Sequence, residues 1–361
     1  MPVERLRAAR FVQVSVLLGS HEAFVEHDPG AEHPESPDRL AAVRRGIVDA
    51  GVSDAVVPFA PRRATREELA RVHDIGYVSR LEELCLVGGG RLDADTCVSP
   101  ASYEAAVRSA GAGLDAVERL EHGDADAAFL ALRPPGHHAV EGGAMGFCLL
   151  NNIAVTAAGL VARGERVLVV DWDAHHGNGT QAAFYESSDV MFVSLHQFPF
   201  YPGTGALGEV GTGDGEGATL NVPFPAGTAG DAYRMALDEL VVPVAEEFSP
   251  TWLLVSAGFD AHRADPLTDL GLSASDFADL TERVARLAVP GRRIFFLEGG
   301  YDLEALASSA GATVAALVGI AYRPEPATTV GRLGSLGSAR SGGPAAVVDA
   351  ARSLHERHRR G

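Results

Sequence analysis

Three short stretches hold the residue types from which a metal-assisted hydrolase can be built. Asp171-Trp-Asp173-Ala-His175-His176 ends an apolar run. In extended chain, residues two apart project the same way, so Asp173 and His175 can close on one cation. Asp260 ends VSAGFD and can add a third ligand from a neighbouring strand. Two carboxylates and one imidazole with an open position make a catalytic metal site, one that holds a water and polarises a carbonyl. Taken singly, Asp173 and Asp260 read as well as helix caps; the three together favour the metal. The tandem His137-His138 follows Arg133-Pro-Pro-Gly, which excludes it from a helix interior, and precedes a Gly-rich EGGAMGF. Two imidazoles beside a metal suit general acid and base work near neutral pH, although paired histidines also serve as ligands or surface residues. Tyr301 follows Gly299-Gly300, and its phenol can donate to a developing oxyanion; a lone tyrosine is more often core or rim.

These residues need elements that hold them together. AAFLALRP, RVLVVDWD, VMFVSLH, TWLLVSAGFD and RRIFFLEGG read as strands, and VQVSVLL as the first one. Between them AAVRSAGAGLDAVERL, NNIAVTAAGLVARG, AYRMALDELVVPVAEEF and ASDFADLTERVARLA carry helical spacing. Near-continuous apolar strands alternating with helices predict an α/β fold, a central mostly parallel sheet with helices on both faces. Ligands of such sheets bind beyond the carboxyl ends of the strands. Of the thirteen histidines, His137, His138, His175, His176, His196 and His262 cluster at or beside those ends. One domain is expected over residues 1–361, with a core of about 14–320 and a tail, 321–361, that wraps the surface before a short C-terminal helix.

Composition narrows the function. A chain of 361 residues with 46% hydrophobic and 22% charged residues excludes a disordered, fibrous or disulfide-stapled protein. Every basic residue is Arg, and the net charge of −18 argues against nucleic-acid binding. It suits the attraction of cationic small molecules or basic peptides. No apolar run is long enough to span a bilayer. The first twenty residues pair Arg with too short an apolar core for a signal peptide. Cys85, Cys97 and Cys148 are odd in number and lack CxxC spacing, so neither a disulfide framework nor a thiolate zinc site is indicated, and a cytoplasmic location is expected. Homo-oligomerisation is left open.

HDPGAEHPESPDRL, RVHDIGY, DTCVSP, RPPGHHAVEGGAMGFCLLNN, VLVVDWDAHHGNGTQAAFY, YPGTG, SAGFDAHRADPL and LEGGYDL occur in this order. With these motifs the chain resembles the zinc-dependent histone deacetylase family, which includes bacterial deacetylase-like amidohydrolases and acetylpolyamine amidohydrolases. The resemblance implies one catalytic zinc on Asp173, His175 and Asp260, with His137 and His138 as the active-site pair and Tyr301 as the transition-state donor. Asp171 would back the first histidine and Asn178 the second, where other branches have Asp; without a carboxylate partner His138 can stay a neutral base. Structural potassium is implied at Asp171, Asp173, His175, Ser194 and Leu195, and a peripheral cation at Phe184, Ser187 and Val190. Gly146, Phe147 and either Phe200 or Tyr201 would wall an acyl-lysine tunnel, Asp95 would hold substrate backbone at the rim, and Arg39 would line an internal acetate channel.

The implied activity is deacetylation of acetylated peptides or small acetylated amines, with release of acetate. Polyamine-selective members tend to carry an acidic gatekeeper where Leu267 stands, and an apolar gate favours acyl-lysine. An acetylpolyamine amidohydrolase is the alternative, and a silent acyl-lysine binding module is a further one, although Tyr301 and all three ligands are kept. Two-metal ureohydrolases are poorly matched: Gly177 and His262 stand where their signatures need aspartates.

Overall fold

The structure is a computed structural model that describes residues 14–329 and 343–358. Its strands are β1 (Val16–Gly19), β2 (Val56–Phe59), β3 (Gly90–Arg91), β4 (Cys97–Val98), β5 (Ala127–Leu130), β6 (Val167–Asp171), β7 (Val190–Gln197), β8 (Thr219–Phe224), β9 (Trp252–Ala257) and β10 (Arg293–Leu297). Eight of them form one sheet in the order β2-β1-β5-β10-β9-β6-β7-β8, while β3 and β4 pair separately. Every pairing in the large sheet is parallel. The sheet expected to be mostly parallel is therefore parallel throughout.

β5, β6, β7 and β9 are buried at every residue. A strand with both side-chain rows buried needs cover on both faces. Helices Asp38–Asp49, Ser102–His122, Asn152–Val161, Ala274–Val284 and Leu303–Leu317 flank the sheet. Among the described residues no helix is long and apolar enough to cross a membrane.

Three local expectations change. Ala232–Phe248, read as one helix, is broken by a π-helical turn at Leu237–Val241 between helices Gly230–Ala236 and Val242–Phe248. Pro243 lacks the N–H and crowds the carbonyl four residues back, so a wider turn takes up the mismatch. The first strand begins only at Val16, and residues 12 and 13 lie outside the described residues. So do residues 330–342 of the tail. Just before them, Glu325 accepts the N–H of Ala274 (2.8 Å) and the Thr328 hydroxyl donates to Asp276 (2.6 Å), which straps the chain over the start of helix Ala274–Val284. Helix Pro344–His358 then packs beside β8.

The strand order matters most for the site. β5, β10, β9 and β6 are consecutive neighbours, and they are the strands whose carboxyl ends lead into RPPGHH, EGGY, GFD and DWDAHH.

Candidate active site

Beyond β6 and β9, Nδ1 of His175 lies 3.2 Å from Asp173 Oδ1 and 2.9 Å from Asp260 Oδ2. The remaining carboxylate oxygens are spoken for: the N–H of Gly299 donates to Asp173 Oδ2 (2.8 Å) and that of Ala174 to Asp260 Oδ1 (2.8 Å). Backbone donors thus orient both aspartates, the N–H of His175 also reaching Asp173 Oδ1 (2.9 Å), so that Asp173 Oδ1 and Asp260 Oδ2 face the same imidazole nitrogen. The three ligand atoms lie within 4.8 Å of one another, and both carboxylates are fully buried. Burial disfavours charge on the His175 ring, but its hydrogen bonds to the two aspartates and their charges raise it to about 10. Burial and the neighbouring Asp173 push Asp260 up to about 7. A site that draws positive charge between two buried carboxylates, through two oxygens and one imidazole nitrogen, is one a divalent cation fits.

The two adjacent histidines face different partners. His137 donates from Nδ1 to Asp171 Oδ2 (2.9 Å). Burial alone would lower it, yet the charges of Asp171 and Asp173 raise it to about 10. His138 donates from Nδ1 to the amide oxygen of Asn178 (2.8 Å). The Asn178 amide nitrogen points to the His138 carbonyl (3.3 Å) and to the Met145 sulfur (3.3 Å), which fixes its orientation. Burial, with the charges of His137 and His175, holds His138 well below the usual histidine range. The ring is neutral, and its Nε2 is left with a lone pair.

Tyr301 stands at the start of helix Leu303–Leu317, whose cap is Asp302. Its ring lies edge-on to Phe147 (5.8 Å) and under the Arg39 guanidinium (5.1 Å). Burial pushes its phenol well above the ordinary value, so the hydroxyl keeps its proton. Asp95, His138, Gly146, Phe147, His175, Phe200, Tyr201, Leu267 and Tyr301 enclose a cavity of about 280 Å³. The choice between Phe200 and Tyr201 dissolves, since both are on its wall: Phe200 stacks on His175 (5.3 Å) and Tyr201 meets His138 edge-on (5.3 Å). Gly146 has φ +55°, and a Cβ there would come within 2.5 Å of the His138 ring. Phe147 adopts φ +68°, a strained conformation for a bulky residue. The N–H of Phe147 is held by the Thr96 hydroxyl (3.1 Å).

The other expected residues lie around this core. Asp95 is exposed at the mouth. Arg39 is fully buried; it donates to the carbonyls of Gly300 (2.8 Å) and Glu298 and pairs with Glu35 (3.0 Å). Ser194 stands beside Asp171 in the β6–β7 register, and its hydroxyl meets His196 Nδ1 (2.9 Å). The Leu195 carbonyl accepts from the Tyr233 hydroxyl (3.3 Å). Phe184, Ser187 and Val190 form the turn into β7, closed by Ser187 N–H to Phe184 carbonyl (3.0 Å). A Cβ at Gly177 would strike Asp171 Oδ2 at 2.2 Å, so the His137–Asp171 pair closes the position a second-metal aspartate needs. His262 turns away to Glu325 (2.6 Å).

Sequence reasoning missed three buried carboxylates. Glu298 accepts the N–H groups of Gly136 (2.7 Å) and His137 (3.1 Å), and burial raises it to about 7. It also lies within 4.8 Å of His137 and Cys148, a second trio of candidate ligands that includes a thiol. Glu35 pairs with Arg39 and Arg133, and Asp265 holds the backbone at Tyr301. Their only sequence signal was to stand inside EGGY, HPESPDR and ADPL.

The strand ends of a parallel sheet thus gather two aspartates and one imidazole that could hold a metal ion, beside the adjacent pair His137 and His138. The chain belongs to the histone deacetylase family, whose members are in general metal-dependent: the histone deacetylase domain matches residues 33–317. It is 40% identical over 290 residues to a probable deacetylase of Archaeoglobus fulgidus, covering 79% of this chain and 80% of the relative. It is 39% identical over 287 residues to a histone deacetylase-like amidohydrolase of Pseudomonas aeruginosa, covering 77% and 75%. The crystal structure of the HDA15 HD domain superposes with a TM-score of 0.85 at 35% identity, covering 96% of this chain and 95% of that one.

Proposed function

We propose that this protein is a zinc-dependent deacetylase of acyl-lysine-type amides that releases acetate and a free amine. The observation carrying this reading is the meeting of the three ligand atoms, a neutral His138 and Tyr301 in one aromatic-walled cavity. Zinc, when bound by Asp173, His175 and Asp260, supplies the Lewis acid for the carbonyl and the attacking water. The chain's own groups move the protons. His138 commits its Nδ1–H to Asn178, so its Nε2 takes the water proton as the oxygen attacks. The Tyr301 hydroxyl donates to the oxyanion that forms. His138 then passes its proton to the amine nitrogen as the C–N bond breaks, while His137 and Asp171 set the field beside it.

Phe147, Phe200 and Tyr201 suit a linear apolar stem, and Leu267 gives the mouth a neutral gate. Asp95 serves the substrate backbone, and Arg39 an internal exit for acetate. Potassium on Asp171, Asp173, His175, Ser194 and Leu195, a second cation on Phe184, Ser187 and Val190, and a cytoplasmic location follow from the family resemblance. A polyamine substrate is the second reading, favoured by Asp93 and Asp95 near the mouth, whose charges reach the Tyr201 hydroxyl.

Metal analysis joined to paired turnover of an acetyl-lysine peptide, N-acetylputrescine and N-acetylspermidine tests this. One zinc per chain and faster peptide cleavage are expected. Faster polyamine cleavage moves the substrate to the second reading, and zinc without turnover of any of the three sinks the enzyme reading in favour of a binding module.

A further inference from the structure

The peptide bond between Gly300 and Tyr301 is gripped at both of its polar ends. Its carbonyl accepts from Nε of Arg39 (2.8 Å), and its N–H donates to Oδ2 of Asp265 (2.7 Å). Both partners are buried. The other oxygen of Asp265, Oδ1, accepts the N–H of Leu267 (3.0 Å), the residue on the cavity wall at the gate. One carboxylate therefore spans the loop that shapes the tunnel mouth and the peptide plane from which the phenol projects. The grip matters because Gly300, at φ +116°, occupies a conformation without the steric restraint a side chain would impose. The direction of the Tyr301 side chain is set by that peptide plane and by the Asp302 helix cap that follows.

We infer that Asp265 is a positioning residue that couples the substrate gate at Leu267 to the transition-state hydroxyl of Tyr301; this rests on the deacetylase reading above. It touches no reacting atom. Its chemistry is specific to a carboxylate, since two oxygens accept two separate backbone donors. Asparagine has one acceptor oxygen and one donor nitrogen, so Asp265→Asn can satisfy Leu267 or Tyr301 but not both. A misplacement of about 1 Å in a catalytic group costs on the order of 100-fold in rate.

The test is a double-mutant cycle on the zinc-loaded protein, read as kcat and KM for acetyl-lysine peptides, with zinc content and thermal midpoint measured on each variant. Wild type against Tyr301→Phe comes first: if wild type is inactive or Tyr301→Phe turns over normally, the deacetylase reading fails, whatever Asp265 does. With that established, Asp265→Asn should lower kcat about 10- to 100-fold with zinc retained. In the Tyr301→Phe background the same change should cost less than about threefold, because the hydroxyl it positions is already gone. Equal losses in both backgrounds, or an unchanged kcat, would overturn the coupling. If Asp265→Asn does not fold, Asp265→Glu keeps both acceptor oxygens on a longer arm. It should then show a partial kcat loss that is again suppressed in the Tyr301→Phe background, and additivity there overturns the proposal equally.

Discussion

His137 and His138 are neighbours in the chain, with rings 4.0 Å apart, yet one faces a carboxylate and the other an amide. Against the cost of burial, the charges of Asp171 and Asp173 favour the protonated form of His137. Burial and the charges of His137 and His175 disfavour it for His138, whose amide partner offers no opposing charge. Asn178→Asp should reverse it for His138: an adjacent carboxylate stabilises the protonated ring, so the base is lost over a wider acidic range. The acid limb of the kcat/KM profile should move to higher pH, with activity at pH 6 falling relative to pH 8; an unmoved limb would remove His138 from the base role. Asp173→Ala removes a proposed ligand whose other oxygen anchors Gly299, and metal and turnover should vanish together in metal analysis and assay. The proposed ligands, the histidine pair and Tyr301 could be singled out because each stands in a short contiguous motif, and the structure brings them to one cavity or beside it. Glu298, Glu35 and Asp265 were not, because a buried carboxylate that serves backbone N–H groups or distant arginines has no local spacing to betray it.

Among elements, the loop from β5 to helix Asn152–Val161 carries both adjacent histidines and Phe147. It is locked to that helix by Asn151, which caps the first turn through Ala154 N–H (3.0 Å) and holds the Ala139 carbonyl (3.2 Å). Gly146→Ala should force its methyl against the His138 ring and strain a positive φ. The expected outcome is a stability loss of about 1–3 kcal/mol by denaturant titration, together with a much larger loss of kcat. The five central strands were legible from apolar runs ending in chemistry. β2 and β8 were not read, since Pro58 and Pro223 interrupt them and both are edge strands of the sheet. The π turn before Pro243 escaped because helical spacing alone gives no sign of a wider turn.

At the scale of the whole molecule, Glu35 ties distant parts of the chain. It bonds Arg133 after β5 and Arg39, whose other nitrogens hold the exit of β10. Burial pushes its carboxyl up, but the hydrogen bond to His27 and the charges of Arg133 and Arg39 outweigh that and hold it far below the usual carboxylate range. A folded-state value below the unfolded one adds stability above the unfolded value of about 4.3 and loses it as pH falls further. Glu35→Gln leaves two buried guanidiniums short of an anion, and should cost about 3–5 kcal/mol near pH 7 by denaturant unfolding. That difference should shrink below pH 4; a constant difference would mean the carboxylate charge is not what matters.

The sheet order has a consequence for how the chain is made. β9 and β10, which follow the other sheet strands in sequence among the described residues, lie between β5 and β6. A nascent chain ending before Trp252 holds β2-β1-β5 and β6-β7-β8 as two half-sheets with no strand to join them. The pairing of Ile294 with Ala128 joins residues far apart in sequence, and such non-local closure is slow and leaves open strand edges exposed to aggregation meanwhile. The ends that bring Asp260 and Tyr301 to the site therefore come together only once β9 and β10 have joined the two halves, and products cut short before Trp252 should be insoluble rather than weakly active.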